Sequence, residues 1–251
     1  MSADTPEDVT GLWGAGRLVA ATLELLEDAV APGVSTLELD RQAASFFEQH
    51  GARSGPILTY DYPGAICISV DDEVVHGIPG SRVLRAGQLV TLDVALELDG
   101  YHADAAVTIP VGEATPAARE LIDATRAALS AGIDAAQAGA ILKDVGAAIE
   151  TTAQARGYDI FRPLTGHGIG RQMHEEPTVF NWAAPAATTR LTAGLVFTIE
   201  PMLTAGSTRL HTASDGWTIS TADGSLSAHA EHTIMVAATG PPTILTARNA
   251  P

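Results

Sequence analysis

The segment Gly166–Pro177, GHGIGRQMHEEP, carries two histidines seven residues apart, His167 and His174, among glycines and ahead of two glutamates. Histidine serves both as a metal ligand and as an acid–base group near neutral pH, and a glycine-flanked histidine is often an ordinary turn residue. The segment alone leaves all three roles open. Asp93 and Asp104 add to it. They lie in LVTLDVALELDGYHADAAVTIPV, where Asp99-Gly100 between alternating apolar stretches signals a two-residue β-hairpin. Pairing Leu98 with Tyr101 sets Asp93 opposite Ala106 and Asp104 opposite Ala95. The two aspartates then share a face as diagonal neighbours, their backbones about 7–8 Å apart.

Two carboxylates on a mainly apolar face resist burial. A solvated face, a shared proton or a bound metal would each relieve them. Glu200 in VFTIEPM and Glu231 in SAHAEHTIMV also lie inside strand-like apolar runs, where glutamate is depleted. Four such carboxylates and one imidazole form an oxygen-rich donor set suited to Mn²⁺, Fe²⁺, Co²⁺ or Zn²⁺. They also carry the charge that balances two divalent ions, so a two-metal centre is expected.

These residues need elements to position them. Thr5-Pro6-Glu7-Asp8 reads as a helix start, with a capping threonine, proline in the first turn and acids facing the dipole. PGVSTLELDRQAASFFEQHG reads as a turn, a Ser35-to-Glu38 capping box and a helix ended by Gly51. AICISV, QLVTLDVALEL and YHADAAVTIPV follow with the composition of strands. Thr115-Pro116 then opens a helix to about residue 131, a turn and a helix ended by Gly157 come next, and GLVFTIEPML and SAHAEHTIMVAA close the chain as strands. Helix, turn, helix, then strands thus occurs twice. The expectation is one α+β domain over residues 1–251, made of two pseudo-symmetric halves at about 6–112 and 113–246.

Bulk properties exclude several classes. A chain of 251 residues with 46% hydrophobic and 18% charged residues can bury a sizeable core. A net charge of −16 with scattered Lys and Arg argues against nucleic-acid binding and against an anionic membrane surface. The single cysteine, Cys67, leaves no intramolecular disulfide and no cysteine-rich zinc site. With neither a signal-like start nor an apolar membrane-spanning run, a cytoplasmic location is expected.

HGIPG, TLDVALELDGYHADAAVTIPVG, GHGIGRQMHEEP, VFTIEPM and DGWTISTADGSLSAHAEHTIMV together resemble the type I methionine aminopeptidases, in order and at suitable spacing from about residue 6 to 246. The resemblance implies the pita-bread α+β fold, with a central curved antiparallel sheet covered by helices. It also implies metal-dependent removal of N-terminal methionine from peptides and nascent proteins, by attack of a hydroxide bridging two metal ions. By that match Asp104 and Glu231 would bridge both ions, Asp93 would bind one, and His167 and Glu200 the other. The substrate's free α-amine would take an open metal position, which restricts cleavage to N-termini.

The resemblance separates the opening pair of histidines. His167 is implied as a ligand, and His174 as a non-ligand that stabilises the developing oxyanion. His76 would sit near the scissile amide nitrogen, and Glu200 would double as proton shuttle. Tyr60, Tyr62, Cys67, Met173 and Trp217 would line the methionine pocket with His76 at its edge, a surface suited to a thioether. His102, His211, His229 and His232 take no such role and are read as structural. A monovalent cation on the carbonyls of Asp71, Glu73 and Ser227 is a further family feature.

Met173 departs from the family by replacing an aromatic residue, Leu164 an aromatic or methionine, and Asp71 an asparagine. No recruitment extension is expected before the first helix, and the ribosome exit region is a candidate partner of an expected monomer. The alternatives are an aminopeptidase or dipeptidase that cleaves before proline, whose members usually carry an extra N-terminal domain, and a non-catalytic pita-bread module that binds peptides.

Overall fold

Thr5 and Ser35 open the first two helices as their sequence predicts. The computed structural model describes residues 1–248, so the last three residues of the expected 1–251 domain lie outside the described residues. Helix α1 runs Pro6–Ala29 and α2 Thr36–Gln49, and each N-cap side chain exchanges hydrogen bonds with the third helical residue, Asp8 and Glu38 respectively. Leu12, Ala15, Val19, Leu23 and Leu26 recur at three- and four-residue spacing and form the buried stripe of α1. That stripe packs on the hairpin formed by strands Leu89–Leu98 and Tyr101–Pro110. Asp99 and Gly100 have φ of 51° and 82°, as a type I′ turn requires. The pairing sets Asp93 opposite Ala106 and Ala95 opposite Asp104, the expected register.

A short helix, α3 (Gly55–Tyr60), has no counterpart in the sequence reading. Ser54 caps it through the Ile57 N–H, and Pro56 supplies a fixed φ in its first turn. In the second half, α4 spans Pro116–Ala135 and α5 Leu142–Ala155. Helix α4 passes its expected end near residue 131 because Gly132 and Ile133 are buried in a tertiary contact. A Cβ on Gly132 would lie 2.8 Å from Ile149 of α5 and 3.0 Å from Ile199. Only hydrogen fits there, and close packing outweighs glycine's poor helix propensity.

Every strand pairing among the described residues is antiparallel. Strands Arg53–Ser54, Leu89–Leu98, Cys67–Val70 and Tyr101–Pro110 form one main sheet. Thr243–Ile244, His232–Met235, Val196–Ile199, Thr165–Gly168 and Glu175–Phe180 form the other, in that order. Helices α1 and α2 cover the first sheet and α4 and α5 the second, over two main apolar cores.

The last two expected strands are each broken. Val196–Ile199 is separated from Met202–Thr204 by Glu200-Pro201, and Ser227–His229 from His232–Met235 by Ala230-Glu231. Proline lacks the N–H a ladder needs, which ends the first run at Pro201; Glu200 and Glu231 both lie where the chain changes sheets and not inside strands. The earlier pieces of the two runs pair with different partners from the later ones. A bridge from Val107 to Ala230 and a hydrogen bond from Glu231 N–H to the Ala106 carbonyl (2.9 Å) tie this junction to the hairpin.

Candidate metal centre and its cavity

The junction between sheets opens into a cavity of about 860 Å³. Its walls hold Asp93, Asp104, His167, Glu200 and Glu231, together with His76, His174, Tyr60, Tyr62, Cys67, Met173 and Trp217. The hairpin supplies Asp93 and Asp104, the strand Thr165–Gly168 supplies His167, and the two strand breaks supply the glutamates. One ligand atom each from Asp104, His167 and Glu231 lies within 4.8 Å of the other two.

Local contacts fix each donor. The Thr233 hydroxyl accepts from Asp104 N–H (2.9 Å) and donates to the Asp104 carbonyl (2.7 Å), which holds the backbone and leaves the carboxylate free. Thr198 links two candidate ligands: its hydroxyl donates to Glu200 Oε1 (2.7 Å) and accepts from His167 N–H (3.0 Å). His167 Nδ1 lies 2.9 Å from the Gly168 carbonyl, which can only accept. Nδ1 therefore carries the proton, and Nε2 turns an unprotonated lone pair toward Glu200 Oε1, 3.6 Å away.

Electrostatics makes the cluster unfavourable as it stands. Burial raises Asp93 to about 6 and Glu200 to about 8. It lifts Asp104 and Glu231 well above the ordinary carboxylate range too, and repulsion from neighbouring carboxylates adds to that. Burial lowers His167 to about 3, so its ring is neutral. Asp104 Oδ1 and Glu231 Oε1 are buried with no hydrogen-bond partner. Orphaned carboxylate oxygens beside an imidazole lone pair are a donor set for a hard or borderline cation, so these residues fit a divalent metal.

The rest of the cavity differs in character. His174 lies beside His167 with ring centroids 4.0 Å apart, and its Nδ1 is 2.7 Å from the Tyr60 hydroxyl. His76 has φ of 59°, a backbone turn that sets its ring on the cavity wall. Tyr62 is buried, donates to the Gly77 carbonyl (2.7 Å) and meets Trp217 edge-on at 5.1 Å. Met173 and Cys67 are also buried; Cys67 pairs across the sheet with Asp93, and burial pushes its thiol up, so it packs without thiolate reactivity. Leu164, one of the departures noted above, lines the cavity too.

The sequence reading missed His229 and Thr198. His229, structural by its sequence context, lines the cavity. The one local signal is its place two residues before Glu231. Nothing local marks Thr198, whose importance lies in which two residues it reaches.

The family described as Metallopeptidase family M24 matches residues 11–238. The chain is 43% identical over 227 residues to a methionine aminopeptidase of Clostridium perfringens, covering 90% of this chain and 91% of that protein. It is 45% identical over 241 residues to methionine aminopeptidase 1 of Mycobacterium tuberculosis, covering 93% and 91%. The crystal structure of methionine aminopeptidase from Rickettsia prowazekii superposes with a TM-score of 0.94 at 38% identity, covering 98% of this chain and all of that one. A prolidase from Pyrococcus furiosus superposes at 0.78 with 19% identity, this chain spanning 65% of its length, which shows a shared fold alone.

Proposed function

The chain belongs to metallopeptidase family M24, and from that premise we propose that it removes the N-terminal methionine from peptides and nascent proteins. In this reading Asp93, Asp104, His167, Glu200 and Glu231 hold two divalent ions, Mn²⁺, Fe²⁺, Co²⁺ or Zn²⁺. The observation that supports it is the buried carboxylate cluster with orphaned oxygens on Asp104 and Glu231. When bound, two such ions supply Lewis acidity toward the peptide carbonyl and acidify the attacking water.

The chain's own residues supply the rest. Glu200, held by Thr198 through one oxygen, is the proton carrier from that water to the departing amine. In this reading the Tyr60 hydroxyl, 2.7 Å from His174 Nδ1, donates to it, and the Nε2–H of His174 donates a hydrogen bond to the oxyanion formed from the carbonyl oxygen. His76 takes the scissile amide nitrogen. Tyr62, Cys67, Met173 and Trp217 receive the methionine side chain and keep water from it, sulfur against aromatic edges. Met173 in place of an aromatic residue leaves the pocket wall more adaptable.

The carbonyls of Asp71, Glu73 and Ser227 are the place for a monovalent cation in this reading. Ser227 draws the first two together, its N–H donating to Asp71 (3.0 Å) and its hydroxyl to Glu73 (3.2 Å), and each carbonyl keeps a second lone pair. Nascent N-termini emerge at the ribosome exit region, which makes that region the place of encounter for a monomeric enzyme in this reading. Among the described residues no helix is long and apolar enough to cross a membrane.

The test is hydrolysis of Met-Ala-Ser alongside Ala-Pro-Ala, after chelation and again after readdition of Mn²⁺ or Co²⁺. Release of methionine alone, and only with metal, is expected. Cleavage before proline would keep the metal site and overturn the specificity. No cleavage with any metal would leave a peptide-binding module.

A further inference from the structure

His229 is buried, and neither ring nitrogen has a hydrogen-bond partner. Its backbone is held from both directions by one side chain: its N–H donates to the Thr108 hydroxyl (2.8 Å), and that hydroxyl donates to its carbonyl (2.9 Å). Thr108 is itself tied to Thr91 at 2.7 Å. The His229 backbone is thus fixed, while its ring stands at the cavity wall with both nitrogens unsatisfied.

The carboxyl group of Glu231 is close by. His229 Nε2 lies 3.7 Å from Glu231 Oε2, while Glu231 Oε1 is buried with no partner. That separation is longer than a hydrogen bond, and a small movement of either side chain closes it. A ring nitrogen without a partner thus faces a carboxyl group whose other oxygen is also without one. The break at Ala230-Glu231 sets up the pair: His229 ends one strand, and Glu231 follows two residues later where the chain changes sheets.

We propose that His229 is a positioning residue for the metal centre: its Nε2–H donates to Glu231 Oε2 and aims the carboxylate at the divalent ions. The inference rests on the metal-site reading above. A carboxylate ligand held by one outer donor keeps its rotamer and directs its remaining lone pairs to the metal, and loss of such partners typically lowers metal affinity about 10–100-fold. An amide at the same place can also donate, whereas a hydrocarbon of similar size cannot.

The experiment titrates the chelated full-length chain with Mn²⁺ by calorimetry and with Co²⁺ by visible absorption, for wild type, His229→Gln and His229→Leu. Wild type binds; His229→Leu is expected to lose about 10–100-fold in affinity and to show an altered Co²⁺ spectrum, while His229→Gln stays within a few-fold of wild type. The metal-free melting temperature of His229→Leu is not expected to fall, since an unsatisfied buried polar group is removed. Should His229→Leu fail to fold, His229→Phe, which keeps a planar ring and has no donor, takes its place. Wild-type affinity and an unchanged spectrum in the hydrocarbon variant overturn the proposal, as does an equal loss in His229→Gln. If wild type itself binds no divalent metal, the metal-site reading falls and this inference with it.

Discussion

His167 and Glu200 are thirty-three residues apart in sequence, yet one hydroxyl serves both. Thr198→Val keeps the shape and removes that hydroxyl. Metal affinity and kcat/KM are expected to fall about 10–100-fold, as for other outer partners of metal ligands, which calorimetry and peptide hydrolysis would measure. Asp104→Asn should separate two effects that are easily confused. It removes a buried ionisable group whose charged form the neighbouring carboxylates repel, so the metal-free protein is expected to melt higher than wild type even as metal binding and activity are lost. A lower melting temperature in the metal-free variant would mean that the carboxylates do not strain the fold. Tyr60→Phe tests the orientation of His174. One hydrogen bond is worth about 0.5–1.5 kcal/mol, so kcat should drop by roughly 2- to 12-fold with KM little changed. A change confined to KM would place Tyr60 in substrate binding alone.

At the scale of elements, close packing and end-capping both follow from single residues. Gly132→Ala puts a methyl group into a 2.8 Å gap against Ile149. Overpacking costs about 1–3 kcal/mol against roughly 1 kcal/mol of regained helix propensity, so the net is expected to be zero or destabilising. A clear rise in melting temperature would show that α4 and α5 separate more readily than the contact suggests. The caps were legible in the sequence because each needs only residues three apart: Thr5 with Asp8, Ser35 with Glu38. The hairpin register was legible because Asp99-Gly100 permits a two-residue turn, and a two-residue turn leaves one register. Helix α3, the extra turn of α4 and the breaks at Glu200 and Glu231 were not legible. Each is decided by what the segment packs against, and Pro201 alone hinted at the first of the two strand breaks.

For the whole molecule, pH and metal are linked through the buried carboxylates. Glu200 and Asp93 are raised to about 8 and about 6 in the folded state. Their contribution to stability is fully present below the ordinary carboxylate range and is lost as pH rises through those folded values. His167, lowered to about 3, acts oppositely: its contribution is present above the ordinary imidazole value of about 6.5 and is lost as pH falls toward 3. Between about pH 6.5 and 8 the carboxylates therefore dominate, and the melting temperature of the metal-free protein is expected to decline across that window. Divalent metal replaces the protons, so the rise in melting temperature on adding Mn²⁺ should grow over the same window. A metal-induced rise independent of pH would dissociate the ions from these carboxylates. The sequence by itself determined the residue types, the alternation that puts Asp93 and Asp104 on one face, the helix starts and the order of elements, because each depends on contacts within a few residues. Only the tertiary structure decided that the hairpin face is buried, that Glu200 and Glu231 meet it where the chain changes sheets, and that His229 and Thr198 stand behind the ligands. Those facts depend on which surfaces lose their water and on groups brought together from distant parts of the chain, and neither is written in local spacing.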